Sequence, residues 1–108
     1  MRVHFNTFTR DKLQESLGSR PGFFKIYNDT EDCGCNGIMV VLIVGEPDPT
    51  DLPVESDEFT FIVDNRQSHL FDDVLKLEAN TDYPDYRLTS DGTFYGSNIR
   101  VRDTRPAA

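Results

Sequence analysis

The chain has 108 residues, 37% of them hydrophobic, with 11 basic and 19 acidic side chains and a formal net charge of −8. That length suits one domain over residues 1–108, and the apolar content suits a packed core, not a disordered chain. The longest apolar run, Ile38 to Val44, covers seven residues, far short of the ~20 that span a bilayer, and the opening residues lack the apolar stretch of a signal peptide; a cytoplasmic protein away from membranes is expected.

In chain order, Arg2 to Asn6 alternates Val3 and Phe5 with polar residues and predicts a short strand. Thr9 is the expected N-cap of an amphipathic helix that carries Leu13 and Leu17 on one face and stops at Gly18. Pro21-Gly22 makes a turn. Phe23 to Asn28 predicts a strand with Phe24 and Ile26 on one face. Asn28 to Gly37 is a polar loop around Cys33-Gly34-Cys35. Ile38 to Val44 is unbroken and rich in β-branched residues, so a strand buried on both faces is expected. Glu46 to Asp57, with three prolines, reads as a surface loop. Phe59 to Val63 predicts a strand, Asp64 to Asp72 a helical turn near Leu70, and Val74 to Leu77 another strand. Tyr86 to Ser90 and Thr93 onward flank Asp91-Gly92, a strong hairpin signal, and Ile99 and Val101 extend the last strand. The sum is a mainly β domain with one helix.

Charge is unevenly placed. Residues 28–86 hold 15 of the 19 acids and 2 of the 11 basic side chains. Such a middle repels phosphate backbones, so nucleic acid is not an expected partner. It suits a metal cation or a basic protein surface, and equally plain solubility. The chain has no glycine-rich phosphate loop, no His-Glu-x-x-His and no Gly-x-Ser-x-Gly. No catalytic residue is expected, and the chain is not read as an enzyme.

Cys33 and Cys35 are the only cysteines. Sulfurs one residue apart can face one soft cation, because Gly34 lets the backbone bend. A tight turn with two small buried thiols is the plainer alternative. Asp29, Glu31 and Asp32 beside them disfavour a reactive thiolate and favour a bound cation. Two thiolates are half the usual set of four for a cluster. The others would come from a second chain, from small molecules, or from His4 or His69.

The order strand, helix, strand, cysteine loop, apolar strand, then Phe61-Ile62-Val63-Asp64, a turn with Leu70 and Val74-Leu75-Lys76-Leu77-Glu78, resembles the HesB-like, A-type iron–sulfur carrier family over roughly residues 2–102. Cys35-Asn36-Gly37 matches the family's Cys-x-Gly before a β-rich strand. The chain departs from it in having no cysteine after position 35, where the family carries a second pair, and so resembles a Gram-positive branch without the full ligand set. The resemblance implies a pseudobarrel of two small mixed sheets capped by one N-terminal helix. It implies binding of iron or an iron–sulfur cluster, with Cys35 a ligand by position and Cys33 one by spacing. It also implies iron–sulfur assembly or recipient proteins as partners; the donor count adds a homodimer through the cysteine loops. A metal-free interaction module with an acidic face, or a small dithiol redox protein using Cys33 and Cys35, are the other readings.

Overall fold

Eight strands close into one barrel in the order β1-β4-β5-β2-β3-β8-β7-β6, with β6 returning to β1. The computed structural model describes residues 1–30 and 37–107. The elements are β1 (Arg2–His4), α1 (Thr7–Leu17), β2 (Phe23–Asp29), β3 (Ile38–Val44), β4 (Asp51–Ser56), β5 (Phe61–Asp64), a 3-10 turn (Ser68–Leu70), β6 (Val74–Ala79), β7 (Tyr86–Thr89) and β8 (Phe94–Asp103). Parallel and antiparallel pairs both occur: β2 runs antiparallel to β3 and parallel to β5, and β3 runs parallel to β8. Two mixed sheets thus join into the expected pseudobarrel. No helix among the described residues is long and apolar enough to cross a membrane.

Strand period places one row inside. Val3, Phe24, Ile26, Val41, Ile43, Phe61, Val63, Leu75, Leu77, Leu88 and Ile99 are buried and share one core. Helix α1 closes the end of the barrel at which β2 starts and β3, β6 and β8 end. Leu13 is its fully buried contact, and the Thr9 hydroxyl accepts a hydrogen bond from the Ala79 amide at 2.9 Å. Thr9 is therefore a docking residue and not the cap. The cap is Asn6, whose side-chain oxygen accepts from the Thr9 amide at 2.8 Å; Asn leads the N-cap preferences because its short side chain reaches back to the first turn.

The far end of α1 is tied to the C-terminal tail by Arg105. Its guanidinium, 4% exposed, bonds the Asp103 carboxylate and reaches the carbonyls of Ser16, Arg20 and Pro21. The last carbonyls of a helix lack intrahelical donors, and here a tail residue supplies one.

Two further expectations change. Glu46 to Asp57 is not all loop: it contains β4, with Pro53 inside it. The Asn65 amide bonds the Thr50 carbonyl, so by alternation the backbone N of Pro53 points away from β5. On that side β1 pairs only with Glu55 and Ser56, and no donor is needed at Pro53. The strand β3 is also less covered than its composition suggests. Val41 and Ile43 face the core, but on the outer face only Val40 is buried, Leu42 and Val44 are half-buried, and Ile38 is exposed.

Lys25 is a buried cation on the outer face. Lys25 Nζ lies 2.9 Å from Asp51 Oδ1 and 3.3 Å from Asp48 Oδ2. Burial alone would lower the ammonium's pKa; the hydrogen bonds and charges of Asp51 and Asp48 outweigh that and raise it. The pair fastens the 45–50 loop to the barrel wall.

The asymmetry of β3 is measurable. Ile43→Ala should cost about 2–5 kcal/mol in urea unfolding, because it leaves a cavity in the core. Leu42→Ala, which loses only a partly covered side chain, should cost about 1–2 kcal/mol. Equal costs would place both faces of β3 in the core.

Candidate functional site

The two cysteines of the sequence motif, Cys33 and Cys35, lie outside the described residues. The base of their loop is described. The β2–β3 ladder closes on the pair Asp29↔Ile38, at the end of the barrel opposite α1.

Three devices hold that base. Gln67 grips the strand end with both halves of its amide: Nε2 donates to the Asn28 carbonyl and Oε1 accepts from the Asn28 amide, each at 2.8 Å. Gly37 follows the loop with φ +96, and a Cβ there would sit 2.3 Å from Asn28 Oδ1. Only glycine suits both that dihedral and that approach. Asp29 then accepts from Arg102 Nη1 on β8 at 3.2 Å. The charge of Asp29 is thus offset by a cation on the barrel wall.

Gln67 is itself held by the turn after β5. Asp64, 2% exposed, accepts from the Arg66 backbone amide at 2.8 Å and from its guanidinium at 2.8 and 3.2 Å. The Gln67 amide bonds the Asp64 carbonyl at 2.8 Å. The Arg66 side-chain bond, then the backbone bond, hold the Asp64 carboxyl down at about 2, against burial. The Val63-Asp64 pair of the sequence motif is therefore the start of a brace that ends on the loop base.

The two histidines are separated. His69, exposed on the 3-10 turn, stands at the loop's end of the barrel. His4 stands toward the other end, its Nδ1 3.1 Å from Asp57 Oδ1, and is not brought near the loop. Among the described residues no group of three or more His, Cys, Asp or Glu is placed to hold a metal. Sequence reasoning missed Gln67 and Arg102. Each is an ordinary polar residue on a turn or a strand, and only the closed topology brings it to the loop. Gly37 was visible as part of Cys-x-Gly, without its steric reason.

The family model described as iron-sulphur cluster biosynthesis matches residues 1–103. No curated protein matches the chain. Solved structures share the fold. One is a protein of Lactobacillus salivarius provisionally assigned to Fe–S biosynthesis and described as a novel fold; it superposes with TM-score 0.81 at 18% identity, over 98% of this chain and 100% of that one. Another, from Lactobacillus acidophilus with the same provisional assignment, gives 0.73 at 11% identity, over 95% and 90%.

The brace makes two expectations. Gln67→Ala should lower stability by about 1–3 kcal/mol, since both backbone groups of Asn28 lose their partner, and should speed amide exchange at Asn28 more than at Ile26. Unchanged exchange at Asn28 would remove Gln67 from the loop base. The second concerns acid. A carboxyl whose folded pKa is depressed adds stability that is complete above its ordinary value, near 3.8, and disappears as pH falls through about 2. Asp64→Asn should therefore be less stable at neutral pH and lose less stability than the parent over that window in acid titration. Parallel acid curves would show that Asp64 is not held low.

Proposed function

The chain belongs to the iron–sulphur cluster biosynthesis family, and on that premise we propose that it binds iron or an iron–sulfur cluster as cargo through Cys33 and Cys35 and passes it on, without turning over a substrate. The observation that carries this reading is the construction of the loop base. In the sequence Cys-Gly-Cys stands between Asp29 and Ile38, the last pair of the β2–β3 ladder, and that base is held by Gln67 on Asn28 and by Arg102 on Asp29, with Gly37 close against Asn28. Fixed ends reduce the entropy lost when two thiolates take up one ion. The donor set is chemically suitable, since thiolates are the ligands of iron–sulfur clusters.

Donor number then sets the assembly. A [2Fe–2S] cluster takes four thiolates, and one chain has two cysteines. A cluster held by protein sulfur alone would join two chains, each giving Cys33 and Cys35 across a two-fold axis. The loop acids Glu31 and Asp32 of both copies would approach there, and the charge of the cargo would offset their repulsion. Assembly or recipient proteins are the remaining partners.

Anaerobic reconstitution with iron and sulfide is the test, with elemental analysis and sedimentation. The expected result is visible absorbance, iron and sulfide bound per pair of chains, and a monomer-to-dimer shift that a chelator reverses. The Cys33→Ser, Cys35→Ser double variant should lose all three. Spectral silence of the parent would favour a metal-free interaction module. A cluster on a strict monomer would replace the two-chain site with one completed by His69, a carboxylate or an added thiol. Unchanged binding by the double variant would remove the loop from the mechanism.

A further inference from the structure

The β7–β8 ladder stops early. Its last pair is Tyr86↔Ile99, and the next residue on the β7 side to meet Val101 would be Pro84, which has no N–H to give. Strand β8 nevertheless continues to Asp103, paired on its other edge with β3. The Thr104 amide bonds the Ile43 carbonyl at 2.9 Å. In a parallel ladder this parity turns the backbone groups of Arg100, Arg102 and Thr104 toward β3, and those of Val101 and Asp103 the other way. The gap beside β4 is blunted by Pro53, whereas this one presents a donor and an acceptor.

Beside Val101 lies a cleft of about 560 Å³, walled by α1 at Lys12, Glu15 and Ser16 and by the 80–85 loop. Tyr83, 71% exposed, stands on that loop. Burial first of all pushes the Tyr86 phenol's pKa up. Glu15 is paired with Lys12 at 3.6 Å, and Asp85 accepts from the Asn80 amide. Arg100, exposed on the same wall as Val101, has no carboxylate partner among the described residues.

We propose that the open edge of β8 at Val101 takes up an extended segment of a partner protein as an added strand, with an acidic residue of that segment beside Arg100. Strand addition uses main-chain bonds for affinity and alternate side chains for choice. The residue opposite Val101 would point inward toward Ser16 and Tyr86, in a space suited to a small side chain. Its neighbours would point outward beside Arg100 and Arg102. Arg102 is engaged by Asp29 and Lys12 by Glu15, so among the described residues of this wall Arg100 is the cation without a carboxylate partner, and an opposite charge across a strand pair is favourable. A second copy is a poor occupant. Pairing Val101 with its symmetry mate would set Arg100 against the other Arg102, and like charges directly opposite are destabilising. The site lies toward the end of the barrel opposite the cysteine loop and needs no metal.

A panel of synthetic octapeptides in which Val alternates with Glu, Lys or Thr is the probe, read by amide exchange and titration calorimetry on the full chain. The Glu peptides should slow exchange at Val101 and bind more tightly than the Lys peptides. N-methylation of the amides on one edge of the peptide should weaken binding about tenfold or more, the effect of losing even one main-chain bond. Val101→Pro removes the outward N–H and should weaken binding about tenfold or more. Arg100→Glu, a surface change that leaves the backbone alone, should reverse the Glu-over-Lys preference even if Val101→Pro folds poorly. Absence of protection at Val101 with every peptide would overturn the proposal, as would indifference to N-methylation and to Arg100→Glu. Self-association that Val101→Pro dissolves would assign the edge to a second copy instead.

Discussion

The barrel closes through three residues. Strand β1 stands between β4 and β6 and pairs with both, in parallel. Without Arg2–His4 those two strands would be raw edges, which are templates for pairing with other chains. Val3, fully buried, brings the seam into the core. Ion pairs Arg2–Glu55 and Arg10–Glu58 and the polar contact His4–Asp57 run along the same seam. All are solvent-exposed and each contributes little singly, so the ladder and Val3 dominate. The seam also shapes the turn before β5. Phe59 takes φ 68, unusual for a bulky residue. Its ring packs against Phe5 and Phe24, at 6.2 and 5.4 Å between centroids, and that burial compensates for the backbone strain.

Local pattern made most of this architecture legible. Alternation of Phe24 and Ile26, the unbroken run from Ile38, and Asp91-Gly92 each encode an element within a few residues, and each appears where that pattern places it. What was not legible depends on partners distant in sequence. β4 is hidden because Pro53 argues against a strand until the position of β1 is known. Thr9 has the chemistry of a cap, yet its hydroxyl faces Ala79, 70 residues away. The outer face of β3 has the composition of a core, yet no helix among the described residues covers it, and Leu42 and Val44 are half-buried.

The candidate site divides in the same way. Its cysteines stand out in the sequence by their spacing and their acidic surroundings. The residues that steady the loop do not, because Gln67 and Arg102 reach Asn28 and Asp29 from 39 and 73 positions away. Arg102 alters the local electrostatics as well. The carboxylate at the loop base, Asp29, is paired with a cation on the barrel wall.

The pairing order of β3 has a consequence for a chain emerging from a ribosome. Its first neighbour, β2, precedes it and can pair at once across the short loop. Its second, β8, supplies Arg100 to Asp103 only after every other strand of the barrel has been made. β1, the first strand of the barrel, waits for Val74 to Lys76 before the seam can shut. The most apolar strand thus keeps one flank unpaired until β8 follows, and the barrel cannot close piecemeal. A chain halted before β8 would hold β3 and β7 as open edges, templates for pairing with other chains, in place of a closed barrel.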